Sequence, residues 1–140
     1  MAALAGGCAC GAVRFRILSD PIDAGWCHCR TCQLNSGCPA MAFASIPTTD
    51  YEVEQGADKF GRFASSDFAH REFCTACGTP LFLQEHNSPE QLDFSIATLD
   101  EPDRVRPGFH IFYTSRIEWA EACDGLPRYP RSRRNSEPMA

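Results

Sequence analysis

Cys27-His28-Cys29-Arg30-Thr31-Cys32 lies between two further groups, Cys8-Ala9-Cys10 and Cys74-Thr75-Ala76-Cys77-Gly78. Seven of the nine cysteines fall in these three clusters. A C-x-C or C-x-x-C pair presents two sulfurs to one ion, and tetrahedral zinc takes four ligands, so two pairs complete one site. The middle cluster supplies only three. A metal held there keeps a position for another ligand, and an open position is where zinc does chemistry.

The chain around these clusters is that of one ordinary domain. Its 140 residues are 44% hydrophobic and carry a formal charge of -5. Such a chain buries roughly two-thirds of its unfolded surface, so zinc reinforces a core and does not replace one. The acidic balance argues against nucleic acid, which needs a basic footprint. Met1 to Gly7 is apolar without a positive leader region, and no apolar run is long enough to span a membrane. The expected compartment is therefore the reducing cytoplasm, where clustered cysteines bind metal more often than they form disulfides. An odd number of cysteines also suits full pairing poorly.

Alternation of apolar and polar residues sets the fold class. Val13, Phe15 and Ile17 share one strand face, with Arg14 and Arg16 on the other. Met41 to Ile46 reads as a buried strand ended by Pro47. Tyr51 to Glu54 alternates and stops at Gly56. Phe60, Phe63 and Phe73 mark further short strands, as do Leu81 to Leu83, Leu92 to Ile96 and Phe109 to Tyr113. Helical periodicity is weak, with short turns expected at Thr31 to Ser36 and Ser115 to Ala122. The prediction is an all-β domain over residues 1–130, built of several short antiparallel sheets around zinc sites. The Pro-, Arg- and Ser-rich residues 131–140 read as a disordered, solvated tail and not as an anion-binding arm.

Cys8, Cys10, Cys74 and Cys77 read as a closed, structural site. Side chains two apart in a strand face the same way, which suits C-x-C. Gly78 supplies the positive φ that a tight knuckle turn needs. Cys27, Cys29 and Cys32 read as the reactive site, able to ionise a substrate thiol at neutral pH. Three fourth ligands stay open at this stage: Cys38, His28 or solvent. Cys38 or His28 would make the site merely structural, and a metal-free redox cluster is another alternative. Cys123 is isolated and reads as a small buried thiol. His70, His86 and His110 lack a helically spaced partner and read as ordinary surface or core imidazoles. His110 stands out because it lies in an aromatic strand. Arg30, Arg71 and Arg116 are candidate partners for an anionic substrate or for the zinc–thiolate cluster.

These motifs resemble the glutathione-dependent formaldehyde-activating enzyme family. The matching stretches are Gly7-Cys-Ala-Cys-Gly11, Cys27 to Cys32 with Ser36-Gly37, Phe73 to Pro80, His110 with Thr114-Ser115, and Asp124 to Pro130. The resemblance implies an Mss4-like all-β fold. It implies a structural zinc on Cys8, Cys10, Cys74 and Cys77 and a second, substrate-facing zinc on Cys27, Cys29 and Cys32. The implied activity is that of a carbon–sulfur lyase, joining glutathione and formaldehyde as S-(hydroxymethyl)glutathione. A non-catalytic zinc module that docks a protein is the alternative.

Overall fold

The computed structural model describes residues 3–140. In chain order the strands are β1 (Leu4–Gly7), β2 (Arg14–Ile17), β3 (Asp23–Cys27), β4 (Met41–Pro47), β5 (Tyr51–Gln55), β6 (Phe60–Ser66), β7 (Ala69–Cys74), β8 (Pro80–Glu85), β9 (Gln91–Ser95) and β10 (His110–Ile111). One α-helix, α1 (Arg30–Ser36), follows β3, and single 3₁₀ turns fill several connections. The fold is all-β as expected, but it is gathered into two sheets. A three-stranded sheet has the order β1-β2-β5, and a seven-stranded sheet has the order β10-β3-β4-β9-β8-β7-β6.

Strand β4 explains why two sheets suffice. Its alternating residues are buried on both faces. Ala44 and Ile46 point toward the small sheet and pack with Phe15, Ile17, Leu81, Leu92 and Phe94 in the main core. Met41 and Phe43 point the other way and form a second, smaller cluster with Cys27, Cys32 and Phe109. Each large side chain buried in this way contributes roughly 1.5–3 kcal/mol. The large sheet is therefore a partition, with the core on one side and the second cysteine cluster on the other.

Two strands escape the sequence reading. β1 is glycine-rich and has only four residues, and β3 contains Gly25 between Ala24 and Trp26. Gly25 has a packing reason: a Cβ there would lie 2.4 Å from the Phe109 ring. The expected strand from Phe109 to Tyr113 is cut to two residues. His110 and Ile111 pair with Trp26 and Cys27 of β3, in parallel and not antiparallel. Phe112 then turns into the left-handed region at φ 52°, the one non-glycine residue there among the described residues. That turn sends Tyr113 into a 3₁₀ turn, where its ring is buried.

Residues 131–140 contain no strand or α-helix. Arg133 Nη1 donates to Asp23 Oδ2 at 3.2 Å, and its guanidinium lies 4.3 Å from the Phe109 ring centroid. The Met139 N–H donates to the Arg128 carbonyl at 2.7 Å. No helix among the described residues is long and apolar enough to cross a membrane.

Candidate active site and metal centres

The first cluster forms where the end of β7 meets the turn after β1. Gly78 takes φ 81°, as its place in the knuckle predicts, and donates its N–H to the Cys74 carbonyl at 2.7 Å. The Val13 N–H points at Cys8 Sγ at 3.2 Å. All four sulfurs of Cys8, Cys10, Cys74 and Cys77 lie within 4.8 Å of one another. Two of the separations are 3.5 Å, Cys8 to Cys10, and 3.9 Å, Cys10 to Cys74. Sulfurs bound tetrahedrally at about 2.3 Å from zinc stand about 3.8 Å apart, whereas a disulfide requires about 2 Å. The spacing therefore fits a shared ion, and all nine cysteines are free thiols. The Thr79 hydroxyl and N–H hold the exposed Cys77 thiol down at about 5, which favours the thiolate a metal needs.

The second cluster is built differently. Cys27 is the last residue of β3, Cys29 is the N-cap of α1, and Cys32 lies in its first turn. The Cys32 N–H donates to Cys29 Sγ at 3.3 Å. The three sulfurs lie within 4.8 Å of one another, with Cys27 and Cys32 buried. Crowding splits their ionisation. The Cys27 and Cys32 thiols donate to Cys29 and hold it down at about 2. Contact with Cys29 and Cys32, together with burial, pushes Cys27 up. For Cys32, Cys27 favours ionisation, but Cys29 and burial outweigh it. Each sulfur's ionisation opposes its neighbours', and a divalent cation is what lets all three be thiolates together. The donor set fits zinc on that chemistry.

Neither protein candidate for a fourth ligand joins the group. His28, just past the end of β3, lies outside the sulfur group, and its Nε2 meets His110 Nδ1 at 2.8 Å. His110 Nε2 in turn meets Asp124 Oδ2 at 2.8 Å. The His28 ring stands edge-on to Tyr113, and Gln33 Nε2 donates to the His28 carbonyl at 2.8 Å. Burial, then His110 and Arg116, lowers His28 to about 4, so its ring is neutral at pH 7. Cys38 is exposed, lies outside the sulfur group, and is held by its N–H to Ser36 Oγ at 3.1 Å.

The three sulfurs open into a cavity of about 280 Å³. Met41, Phe43, Leu83, Ile111 and Phe112 give it apolar walls, and Arg71, Glu85 and Asp93 give it charge. A second hollow of about 250 Å³ continues from it past Phe43, Leu83 and Asp93 to Arg133 and Arg134. Strand register places these groups. Cys27 pairs with Met41, and Ser45 pairs with Asp93. Four residues of strand separate the two levels, about 13 Å at 3.3 Å per residue. Asp93 therefore lines the cavity at a level remote from the cysteines. Ser45 Oγ donates to Asp93 Oδ1 at 2.6 Å, yet burial lifts its carboxyl to about 6.

The remaining candidates separate clearly. Arg71 reaches Cys32, with Nη2 3.4 Å from its sulfur. Arg30 instead bonds Gln33, and Arg116 lies over the Tyr113 ring. His70 and His86 stack on each other away from both sulfur groups. His110, read as an ordinary imidazole, is buried at the centre of the His28–His110–Asp124 chain. Cys123, expected to be buried, is exposed because its segment crosses the surface without strand or helix. The sequence reading placed Asp93 and Phe112 in strands and Asp124 in a family-like stretch but gave none of them a role at the site. Asp93 carried a signal, as the polar residue that breaks the apolar run Leu92 to Ile96.

Residues 3–115 match the sequence pattern of the family described as glutathione-dependent formaldehyde-activating enzyme. A Schizosaccharomyces pombe protein named as an uncharacterized lyase is 34% identical over 82 residues, covering 59% of this chain and 58% of that protein. This chain thus spans less than two-thirds of that relative. A Halomonas elongata protein that carries the family's name is 27% identical over 129 residues, covering 84% of this chain and 80% of its own length. The crystal structure of a Rhodobacter sphaeroides protein superposes with a TM-score of 0.58 at 27% identity, over 69% of this chain and 87% of that one. Fold, sulfur groups and sequence pattern agree, and the chain belongs to the glutathione-dependent formaldehyde-activating enzyme family.

Proposed function

We propose that this protein is a zinc-dependent enzyme of the carbon–sulfur lyase class that forms or cleaves an adduct between a small thiol and an aldehyde. Family membership favours glutathione and formaldehyde as the pair, and the lyase name of a relative favours the reaction class. The observation that carries the reading is a group of three sulfurs, two of them buried, with no fourth protein ligand among the described residues, facing a cavity.

In this reading Cys8, Cys10, Cys74 and Cys77 hold a structural ion, and Cys27, Cys29 and Cys32 hold a second one at the cavity. Zinc at the second position would lower the pKa of a thiol placed against it, since a bound cation favours the deprotonated ligand. The thiolate is the nucleophilic form. In the forward direction the thiol loses its proton, the sulfur–carbon bond forms at the carbonyl carbon, and the carbonyl oxygen takes a proton. No oxidant or reductant is required. Met41, Phe43, Leu83, Ile111 and Phe112 exclude water around the reacting atoms and hold the two substrates close, which is where a positioning enzyme gains most. The uncatalysed addition is easy, so the required acceleration is modest.

Two measurements test the reading. S-(hydroxymethyl)glutathione formation, followed with and without micromolar protein, is expected to accelerate; no acceleration removes the glutathione–formaldehyde pair. Zinc content is expected to fall from two ions to one in Cys29→Ser with the fold kept. A Cys29→Ser protein that retains both ions, or has lost both, defeats the assignment of the second site.

A further inference from the structure

Arg71 is a charge without an ordinary partner. It sits on β7 on the cavity side of the large sheet and is 8% exposed. Its Nη2 meets Cys32 Sγ at 3.4 Å and its Nη1 meets Met41 Sδ at 3.5 Å. Its Nε has no partner, and no ion pair joins it to a carboxylate among the described residues. The adjacent Glu72 faces the opposite side of the strand, toward His70. A guanidinium does not give up its proton, so a buried one needs a countercharge. The sulfur group is the anion on hand.

Charge counting gives this contact a purpose. Three thiolates around a divalent ion leave a net charge of about -1, and a fourth, entering thiolate makes it about -2. In the first centre Cys10 and Cys77 are exposed, and water carries the excess. In the second, two of three sulfurs are buried, and water is largely kept out. Arg30 is turned to Gln33 and Arg62 to His70, so neither supplies the charge.

We propose that Arg71 is a positioning residue whose guanidinium supplies the countercharge for the second centre and makes it select an anionic sulfur as its fourth ligand. This rests on the zinc reading of Cys27, Cys29 and Cys32 given above. It defines the ligand class: thiols that bind as thiolates are favoured over neutral donors such as imidazole.

The test uses the full chain, folded and metal-loaded, as wild type, Arg71→Gln and Arg71→Lys. Zinc retention against a graded chelator and glutathione binding to the cobalt(II)-loaded protein, read from the sulfur-to-cobalt absorption, are measured beside imidazole binding. Arg71→Gln is expected to keep the first ion and to hold the second about 10- to 100-fold more weakly, the range seen when groups supporting a metal's ligands are lost. Glutathione binding weakens about tenfold or more, by loss of a charge-assisted contact, whereas imidazole binding changes little. Arg71→Lys, which keeps the charge, restores most of both. Wild type with two ions and an Arg71→Gln variant equal to it in both readouts overturns the role of Arg71 alone. Wild type with a single ion overturns the zinc reading and this inference together. If Arg71→Gln does not fold, Arg71→Lys decides: a folded lysine variant with both ions and normal glutathione binding supports the countercharge, and one that loses the second ion overturns it.

Discussion

Asp93 shows how one residue carries conflicting demands. Its carboxyl is lifted from 3.8 to about 6, first by burial and then by the nearby charges of Glu85 and Asp23, while Ser45 and Arg134 pull the other way. An acid whose folded pKa is raised binds more protons in the native state than in the unfolded one. Stability from this group is full below about 4, falls as pH rises toward about 6, and stays reduced above that. Asp93→Asn is therefore expected to stabilise the protein at pH 7 by an amount on the order of 1–2 kcal/mol and to leave stability unchanged at pH 3.5. Urea unfolding of both proteins across this range measures it. Equal stabilisation at both pH values would show that charge burial is not the cause. A carboxylate kept at such a disadvantage lines the cavity, which is where a cost of this kind is expected in a functional site.

Among the elements, β3 best separates what was readable from what was not. The cysteine spacing, Gly78 and the alternation of β2, β4 and β5 were legible because each is a local rule: ligand geometry, backbone freedom and pleat. β3 was hidden because its middle residue is glycine, which predicts against a strand. Its reason lies more than eighty residues away, in the Phe109 ring. The chain His28–His110–Asp124 was equally illegible, since only the parallel pairing of β10 with β3 brings those residues together. The open second centre could be stated as one of three alternatives, but His28 and Cys38 could be set aside only by where their side chains go. Gly25→Ala tests the β3 explanation. A Cβ 2.4 Å from the Phe109 ring forces that ring to move, at about 1–3 kcal/mol by the usual cost of overpacking. Thermal unfolding is expected to show the loss, and Gly25→Ala with Phe109→Leu is expected to recover part of it. Additive losses in the double variant would mean that the two sites do not touch.

The two sulfur groups occupy opposite sides of the large sheet, and that placement predicts opposite consequences for the molecule. The first group ties the turn after β1 to the end of β7, and Cys8 and Cys74 are themselves part of the main core. Apparent binding energies of structural zinc, about 10–16 kcal/mol in small zinc domains, match or exceed the 5–15 kcal/mol by which a domain is stable. On the proposed reading, an ion bound at that position would stabilise the fold by as much as the domain's whole margin. The second group lies between β3 and α1, contiguous in sequence, so it closes a loop of only a few residues and constrains the unfolded chain little. Cys74→Ser is expected to give a protein that is unfolded or aggregated at 25 °C, whereas Cys29→Ser keeps wild-type circular dichroism with a melting temperature lowered by only a few degrees. Chelation of the wild type should accordingly proceed in two steps, with thiol-binding ability lost in the first and secondary structure in the second. A single step in which both vanish together would mean that the two centres support the fold alike, and the division into a structural and a reactive ion would fail.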